Sequence, residues 1–486
     1  MTLGIDIGTT SSKAVLLDGR MASVASARVG HAVDYPRPGW AEQDSAVWWA
    51  DLRSLIASLA AQVDLSRVEA IGVSSMGPVV LPVTASGEPL RSAILYGIDS
   101  RAAAEIERLN GELGEELGSR VLTRYSTQSI LPKLLWLKER QPEVYARMGK
   151  ALSTSGYLTF RLTGRMTLDY FTASAGALVD FGRGRPYERA FAEAGVDPAL
   201  VPELLWPGEI AGSLSRPAAA ELGLPEGIPV IAGSTDAACE AAICGCALPG
   251  DTALSLGGTT IYDTCGDRAV RMDDIFVCAY LSPRSYIYGG ATGSGGILFD
   301  WFARTILRIE PAEAVSRFGE GALRETSVLF LPYLNGARTP LNDPSATGLV
   351  TGIRSSTESD DLYIALLESL AFDLAMMASR VDGEIRPARP LRVTGGGARN
   401  AALLRTIAET LRRDLEVLPP EMGSAAGAAL LAFAAATGRP VEEVAKAVPI
   451  ASRIAHAGDR ADYLAEKMGL FVRTYQANKA LFAEMR

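Results

Sequence analysis

A short pattern of strand, glycine-hydroxyl turn and strand occurs twice in this chain, and it limits the possible folds more than any bulk property does. Near the start, Ile5-Asp6-Ile7-Gly8-Thr9-Thr10 runs into Ser11-Ser12-Lys13 and then the apolar Ala14-Val15-Leu16-Leu17. Past the middle, Ala253-Leu254-Ser255-Leu256-Gly257-Gly258-Thr259-Thr260 runs into Ile261-Tyr262. Both predict a β-hairpin whose tip is glycine and hydroxyl residues. Such a tip presents unobstructed backbone N–H groups and Thr hydroxyls to an anion, and glycine permits close approach. A Gly-Thr turn by itself is common in plain hairpins. Its repetition, together with a third glycine cluster, predicts two related halves holding one polyphosphate.

In a strand, alternate residues share a face, so Gly4, Asp6 and Gly8 lie on one side and Ile5 and Ile7 on the other. The isoleucines suit a core. The opposite face is one carboxylate between two residues without side chains, which reads as room for a ligand. A carboxylate amid apolar strand requires a partner. A hydrated Mg²⁺ carried on phosphates is one, and a bond to a neighbouring turn is the other.

The chain has 486 residues, enough for two or three domains with sizeable cores. A net charge of −9 without a basic run argues against nucleic-acid binding. No stretch reads as long and apolar enough to span a bilayer, and with no basic n-region or apolar h-region ahead of the first strand a secretory leader is not expected. All five cysteines fall between Cys239 and Cys278, a poor disulfide framework that suits the cytosol. Cys244 and Cys246 read as core packing rather than a zinc pair. Only two histidines exist, His31 and His456, both in polar, loop-like settings. Ser-His-Asp hydrolysis and His-ligated zinc catalysis are therefore disfavoured. Carboxylates, hydroxyls, backbone amides and a metal remain, the inventory of phosphoryl transfer.

Strands alternate with helices throughout, which predicts an α/β fold. A helix capped by Asp44 carries Trp48, Trp49, Leu52, Leu55 and Ile56. A strand over 70–73 follows, then helices over 101–116 and 132–140. Turn residues between Leu214 and Gly227 precede the strand Pro229-Val230-Ile231-Ala232, and the domain boundary is placed there, giving 1–227 and 228–486. The last segment spaces Leu464, Met468, Phe471, Tyr475 and Phe482 as an amphipathic helix.

Two further constellations carry chemistry. Leu391-Arg392-Val393-Thr394 reads as a strand that stops at Gly395-Gly396-Gly397 and gives way to a helix from Ala398, a common phosphate or nucleotide platform. Asn400 breaks the Gly-x-Gly-x-x-Gly dinucleotide fingerprint, no Walker A pattern is present, and a plain glycine turn is the alternative. Ala232-Gly233-Ser234-Thr235-Asp236 follows a buried strand and leads into an Ala-rich helix. Asp236 is either the cap of that helix or, at a strand's carboxyl end, a general base for a substrate hydroxyl.

Taken together these residues resemble the FGGY family of carbohydrate kinases, nearest to its xylulose-kinase-like members, over almost the whole chain. Gly4 to Lys13 is similar to the family's first phosphate motif, Leu256 to Thr260 to its second, and Thr394 to Asn400 to its adenosine motif. Leu131-Pro132-Lys133-Leu134-Leu135-Trp136-Leu137, the stretch from Phe330 to Pro340, and Gly290 to Trp301 resemble further family segments, all in the family's order. The resemblance implies two RNase H-like domains of the actin and hexokinase type with a cleft between them. It implies an enzyme that phosphorylates a small-molecule sugar hydroxyl with ATP and Mg²⁺; with the charge and cysteine readings, the expectation is a cytoplasmic protein without nucleic acid or membrane partners, with a homodimer as the assembly to test. Asp236 would be the catalytic base, and Asp6 and Asp236 the metal carboxylates. Gly8, Thr9, Thr10, Ser11, Lys13, Gly258 and Thr259 would line the phosphates, with Gly296, Gly396 and Asn400 at the nucleotide.

Two segments depart from that pattern. Xylulose kinases of the family usually carry Gln-Met-His where this chain has Ser75-Met76-Gly77, and a Trp near the position of Tyr96, ahead of a shorter run to Asp99. The sugar site is expected at Met76, Gly77, Tyr96 and Asp99, with Gly77 leaving space for a bulkier substrate. Asp99 is either a hydroxyl acceptor or the cap of the helix starting near Arg101. Pentuloses such as xylulose lead the expectation; another polyol, a tetritol or an aldonate are alternatives. A chaperone, a filament protein, or a non-catalytic ATP- or sugar-binding protein on the same fold are readings from other classes. Retention of Asp6, Lys13 and Asp236 favours the kinase.

Overall fold

The computed structural model describes residues 1–485, and the chain forms two compact units that interleave in sequence. The first comprises Met1–Leu248, Gly266–Ile287 and Glu421–Val448; the second takes Pro249–Cys265, Tyr288–Pro420 and the segment from Pro449 onward. The structure differs from the division expected at 227. The strands just after that point complete the first unit's sheet, and a helix from the far end of the chain covers it.

In the first unit, β1 (Thr2–Ile7) and β2 (Ser11–Leu17) form the expected hairpin, extended by β3 (Ser23–Gly30). The helix α1 (Ser45–Ala60) begins as expected at Asp44, whose carboxylate accepts from Ala46 N at 2.9 Å. Its Trp48, Leu52, Leu55 and Ile56 are buried, as helical spacing requires. The strand β4 (Ala70–Ser75) lies parallel to β1 with Asp6 opposite Ser74. Two short strands, β5 (Pro229–Ile231) and β6 (Ser234–Thr235), both run parallel to β4. The helix α2 (Asp236–Ile243) starts directly after them. Strand Ile210–Ser213 closes the edge beyond β5.

Ile5 and Ile7 are fully buried in the core that α1 covers. The opposite face does not offer Gly4 to a ligand. The helix Ser424–Thr437 lies there so closely that a Cβ at Gly4 would sit 1.8 Å from the Ala425 carbonyl oxygen. One at Gly72, opposite Gly4 on β4, would sit 2.0 Å from that of Ala428. The same helix also packs closely on α2, where a Cβ at Gly427 would meet the Cys239 carbonyl oxygen at 1.8 Å. Small residues at Ala425, Ala426, Gly427 and Ala428 let the backbones meet, and dispersion is gained over the full contact.

The second unit repeats the hairpin. Its β7 (Thr252–Leu256) and β8 (Thr260–Gly266) pair antiparallel, and β7 runs parallel to β9 (Leu391–Thr394). The helix α3 (Ala401–Leu411) follows β9, as the strand, glycine run and helix pattern predicts. The helix Ser359–Asp382 is long and apolar enough to cross a membrane by composition alone, against the sequence expectation. It is a core helix: 89% of its apolar window is buried within the protein. The C-terminal helix Ala461–Glu484 buries Leu464, Phe471, Tyr475 and Phe482, as its spacing requires.

Candidate active site

Four aligned positions set the site in the first unit. Asp6 faces Lys13 across the hairpin and Ser74 across the parallel ladder, and Ser74 in turn faces Ser234. Alternate side chains of a strand share a face, so this row runs across one side of the sheet. Ser74 Oγ donates to Asp6 Oδ1 at 2.9 Å. Ser234 Oγ donates to Asp169 Oδ1 at 2.7 Å, which also accepts Thr172 N at 2.9 Å and so caps the helix Tyr170–Ala175. Sequence reasoning missed Asp169. Its one signal was an Asp directly ahead of a short helical run.

Asp236 occupies the first turn of α2, just past Ser234 and Thr235. Its Oδ1 accepts from Ala237 N at 2.8 Å. The side chain is half-buried, so a ligand can still reach it. Burial pushes the carboxyl up to about 8, and the negative charges of Glu240 and Asp6 push the same way. Asp6 is likewise raised by burial, opposed by hydrogen bonds from Ser424 and Ser74 and by the charge of Lys13. Burial also raises Asp169 and the Cys239 thiol beside them. A cluster of carboxyls that all resist ionisation is a place where a cation or an incoming proton is favoured.

At the tip of the first hairpin, Gly8 N donates to Ser11 O at 3.1 Å, and a Cβ at Gly8 would stand 2.9 Å from that oxygen. Glycine is therefore required by the turn. The N–H groups of Thr9 and Thr10 have no partner among the described residues. Thr10 and Lys13 are exposed, and Thr9 and Ser11 are partly so. Thr9 Oγ1 lies 2.8 Å from Tyr96 OH.

The second unit gathers its own set. Gly296 N donates to Gly257 O at 2.9 Å and Ile297 N to Gly258 O at 3.3 Å, so the helix Gly296–Trp301 starts against the second hairpin tip. Gly395, at φ +94°, passes so near Leu256 that a Cβ would meet its carbonyl oxygen at 2.6 Å. Gly258, Thr259 and Gly296 are thus packed together, and Gly396, just past Gly395, is exposed with open space where a side chain would be.

Three of the residues expected to touch ligands have other engagements. Asp99 is 1% exposed and accepts from Ala41 N at 2.7 Å, Arg101 N at 3.1 Å and the Arg101 guanidinium at 2.7 Å. Both oxygens are held, and a sugar hydroxyl would have to displace a buried ion pair. The helix beyond starts at Ala103, so Asp99 does not cap it either. Met76 is 1% exposed in the α1 core and offers almost no surface. Asn400 is also buried: its Oδ1 caps α3 through Leu403 N at 3.0 Å, and its amide donates to Tyr363 OH at 2.9 Å. Gly77 and Tyr96 remain partly open. The space expected at Gly77 is narrow, because a Cβ there would lie 3.2 Å from Thr235 Cγ2, next to Asp236.

Comparison with known proteins fits this arrangement. The N-terminal domain model of the FGGY family of carbohydrate kinases matches residues 1–244, and the C-terminal domain model matches residues 256–436. The chain is 30% identical to a xylulose kinase of Escherichia coli strain K12 over 446 residues, 90% of each chain. It is 31% identical to a xylulose kinase of Streptomyces coelicolor over 461 residues, 92% of this chain and 90% of the other. A crystal structure of a xyloylose kinase from Brucella ovis superposes with a TM-score of 0.92 at 27% identity, covering 99% of both chains. With both family domains matched in order and the whole fold shared, the chain belongs to the FGGY family of carbohydrate kinases and is a sugar kinase.

Proposed function

We propose that this chain transfers the γ-phosphoryl group of ATP to a hydroxyl of a ketopentose such as xylulose, with Asp236 as the general base. The observation that carries the proposal is the placement of Asp236: half-buried at the start of α2, raised to about 8, and felt by Asp6 in the neighbouring carboxylate row. In the reaction Asp236 takes the hydroxyl proton while the sugar oxygen bonds the γ-phosphorus. The bond from that phosphorus to the β,γ-bridging oxygen breaks, and ADP leaves. The unpartnered amides of Thr9 and Thr10, with Lys13 and the Thr and Ser hydroxyls, meet the phosphate charge. Gly258, Thr259, Gly296 and Gly396 form the nucleotide side.

The residues present fit a Mg²⁺ ion that arrives with the nucleotide. Among the described residues no group of three or more His, Cys, Asp or Glu could cage a metal. Mg²⁺ keeps its waters and typically uses one or two carboxylates plus phosphates, which suits Asp6 and Asp236. When bound, the ion would neutralise phosphate charge and favour ionised Asp236. The five cysteines are buried and cluster between Cys239 and Cys278, a poor disulfide framework that supports a reducing compartment, hence the cytosol. A second reading, a kinase for a tetritol, another polyol or an aldonate, draws on Gly77 and Tyr96 at the expected pocket wall. A coupled ADP-release screen over ketopentoses, aldonates, tetritols and hexitols separates the two. Fastest release with a ketopentose supports the first, and release confined to another class replaces it.

A further inference from the structure

The two hairpins hold their tips by different means, and the difference picks out a residue that the sequence pattern passed over. In the second unit, the carbonyls of Gly257 and Gly258 are held by the backbone amides of Gly296 and Ile297. The matching carbonyls of the first hairpin, Gly8 and Thr9, have no helix start behind them. They are held by a side chain: His31 Nε2 lies 3.0 Å from Gly8 O and 3.2 Å from Thr9 O. Gln43 Nε2 adds a bond to Thr9 O at 2.9 Å, and its Oε1 is fixed by Trp48 Nε1 at 2.8 Å. The backbone N of His31 takes the next carbonyl, Thr10 O, at 3.0 Å.

His31 lies in a loop just past β3, as the sequence suggested, but it is not a surface histidine. Its side chain is 4% exposed, and Nδ1 lies 2.6 Å from Asp51 Oδ2 on α1. Ser12 Oγ donates to the same oxygen at 2.6 Å. The three residue types match a hydrolytic triad, but the arrangement does not. Ser12 and Asp51 both lie on the Nδ1 side, Ser12 is fully buried, and Nε2 faces carbonyls where a triad would hold its nucleophile.

A trans peptide points the C=O of one residue and the N–H of the next in opposite directions. Holding Gly8 O and Thr9 O from behind therefore turns the N–H groups of Thr9 and Thr10 outward, and these are the amides without a partner. We infer that His31, oriented by Asp51, is a positioning residue that presets the first hairpin's amides for the nucleotide's polyphosphate. Preorganised donors bind an anion without the ordering that a free loop would need. The inference rests on the reading that this hairpin meets the phosphates, and its test keeps the two apart.

Three variants beside wild type, with full kinetics and melting curves, decide it: His31→Phe, Asp51→Asn and Thr10→Ala. His31→Phe fills the space but removes the donor. It should raise the KM for ATP about tenfold, the scale of one lost hydrogen bond, while the KM for sugar stays near wild type. Asp51→Asn should retain most ATP affinity, because an amide N–H can donate to Nδ1 and leave Nε2–H on the carbonyls. Thr10→Ala probes the tip itself. If it raises the KM for ATP and His31→Phe does not, the positioning role is overturned while the phosphate reading stands. If neither variant moves that constant, the phosphate reading has failed and the inference with it. A His31→Phe protein that melts lower yet binds ATP normally also overturns the inference, since His31 would then serve only the fold. If His31→Phe does not fold, Asp51→Ala serves instead. It leaves the ring unoriented and should show the same selective rise; an unchanged constant for ATP contradicts the inference.

Discussion

Asp99 and Asp236 are both half-way between structure and chemistry in the sequence, and their surroundings separate them. Asp99 and Arg101 bury each other completely, and the guanidinium lies 4.0 Å from the Trp40 ring and 5.1 Å from that of Trp136. Asp99→Ala leaves that cation only Glu42, 2.7 Å from its Nη1, so the loss stays below the about 3–5 kcal/mol of a fully stranded buried charge. Thermal denaturation should show a markedly lower Tm, with both Michaelis constants near wild type. A selective rise in the KM for sugar would return Asp99 to the pocket. Asp236 makes a pH-dependent contribution of the opposite kind. Its carboxyl is raised from 3.8 to about 8 in the folded chain. Between those values the folded state holds a proton that the unfolded state has lost, so stability falls as pH rises through this window. Asp236→Asn should therefore raise the Tm of the ligand-free protein, by more at pH 8 than at pH 5. A gain that does not change with pH would contradict the shift. The sequence announced Asp236 because a strand end and a helix start flank it. It could not show that Asp99 is spent on Arg101, because two residues' separation says nothing about burial.

The hairpins were legible as elements, since alternation and glycine turns are local signals. What lies behind them was not. Gly4 read as room for a ligand, yet it is room for a helix that begins at Ser424, far along the chain. No local pattern reports a contact at that separation. The glycines set the sheet-to-helix distance, so Gly72→Val should displace the helix Ser424–Thr437 and, by overpacking, lose a few kcal/mol or the soluble fold. Gly19→Ala, where nothing lies within 4 Å of the added carbon, is the matched control. Soluble yield and denaturant midpoints of the two variants check this, and equal midpoints would show that the sheet and helix can separate at little cost. The segment over 131–137 gains its reason from packing as well. Leu131, Leu134 and Leu137 are buried, and Trp136 meets Trp40 edge-on at 5.2 Å, with Arg101 against both rings. That cluster ties the helix Ile130–Arg140 to the loop over 35–40.

Across the whole chain, family and reaction class followed from motif order, and the division into units did not. The first unit runs through Leu248 and also recruits Gly266–Ile287 and Glu421–Val448, whereas turn residues and the strand after them marked 227. A sheet that takes its last strands and its covering helix from distant segments leaves no linker to read. As a result, Asp6, Asp169 and Asp236 share one unit with the first glycine-hydroxyl hairpin. In the proposed reaction this unit removes a proton from a sugar hydroxyl at Asp236. Steady-state kinetics of Asp236→Asn against wild type, with saturating MgATP and the best sugar from the screen, test it most directly. The kcat should fall by about two to four orders of magnitude, the scale of a lost general base, with the KM for ATP nearly unchanged. A kcat close to wild type would contradict it.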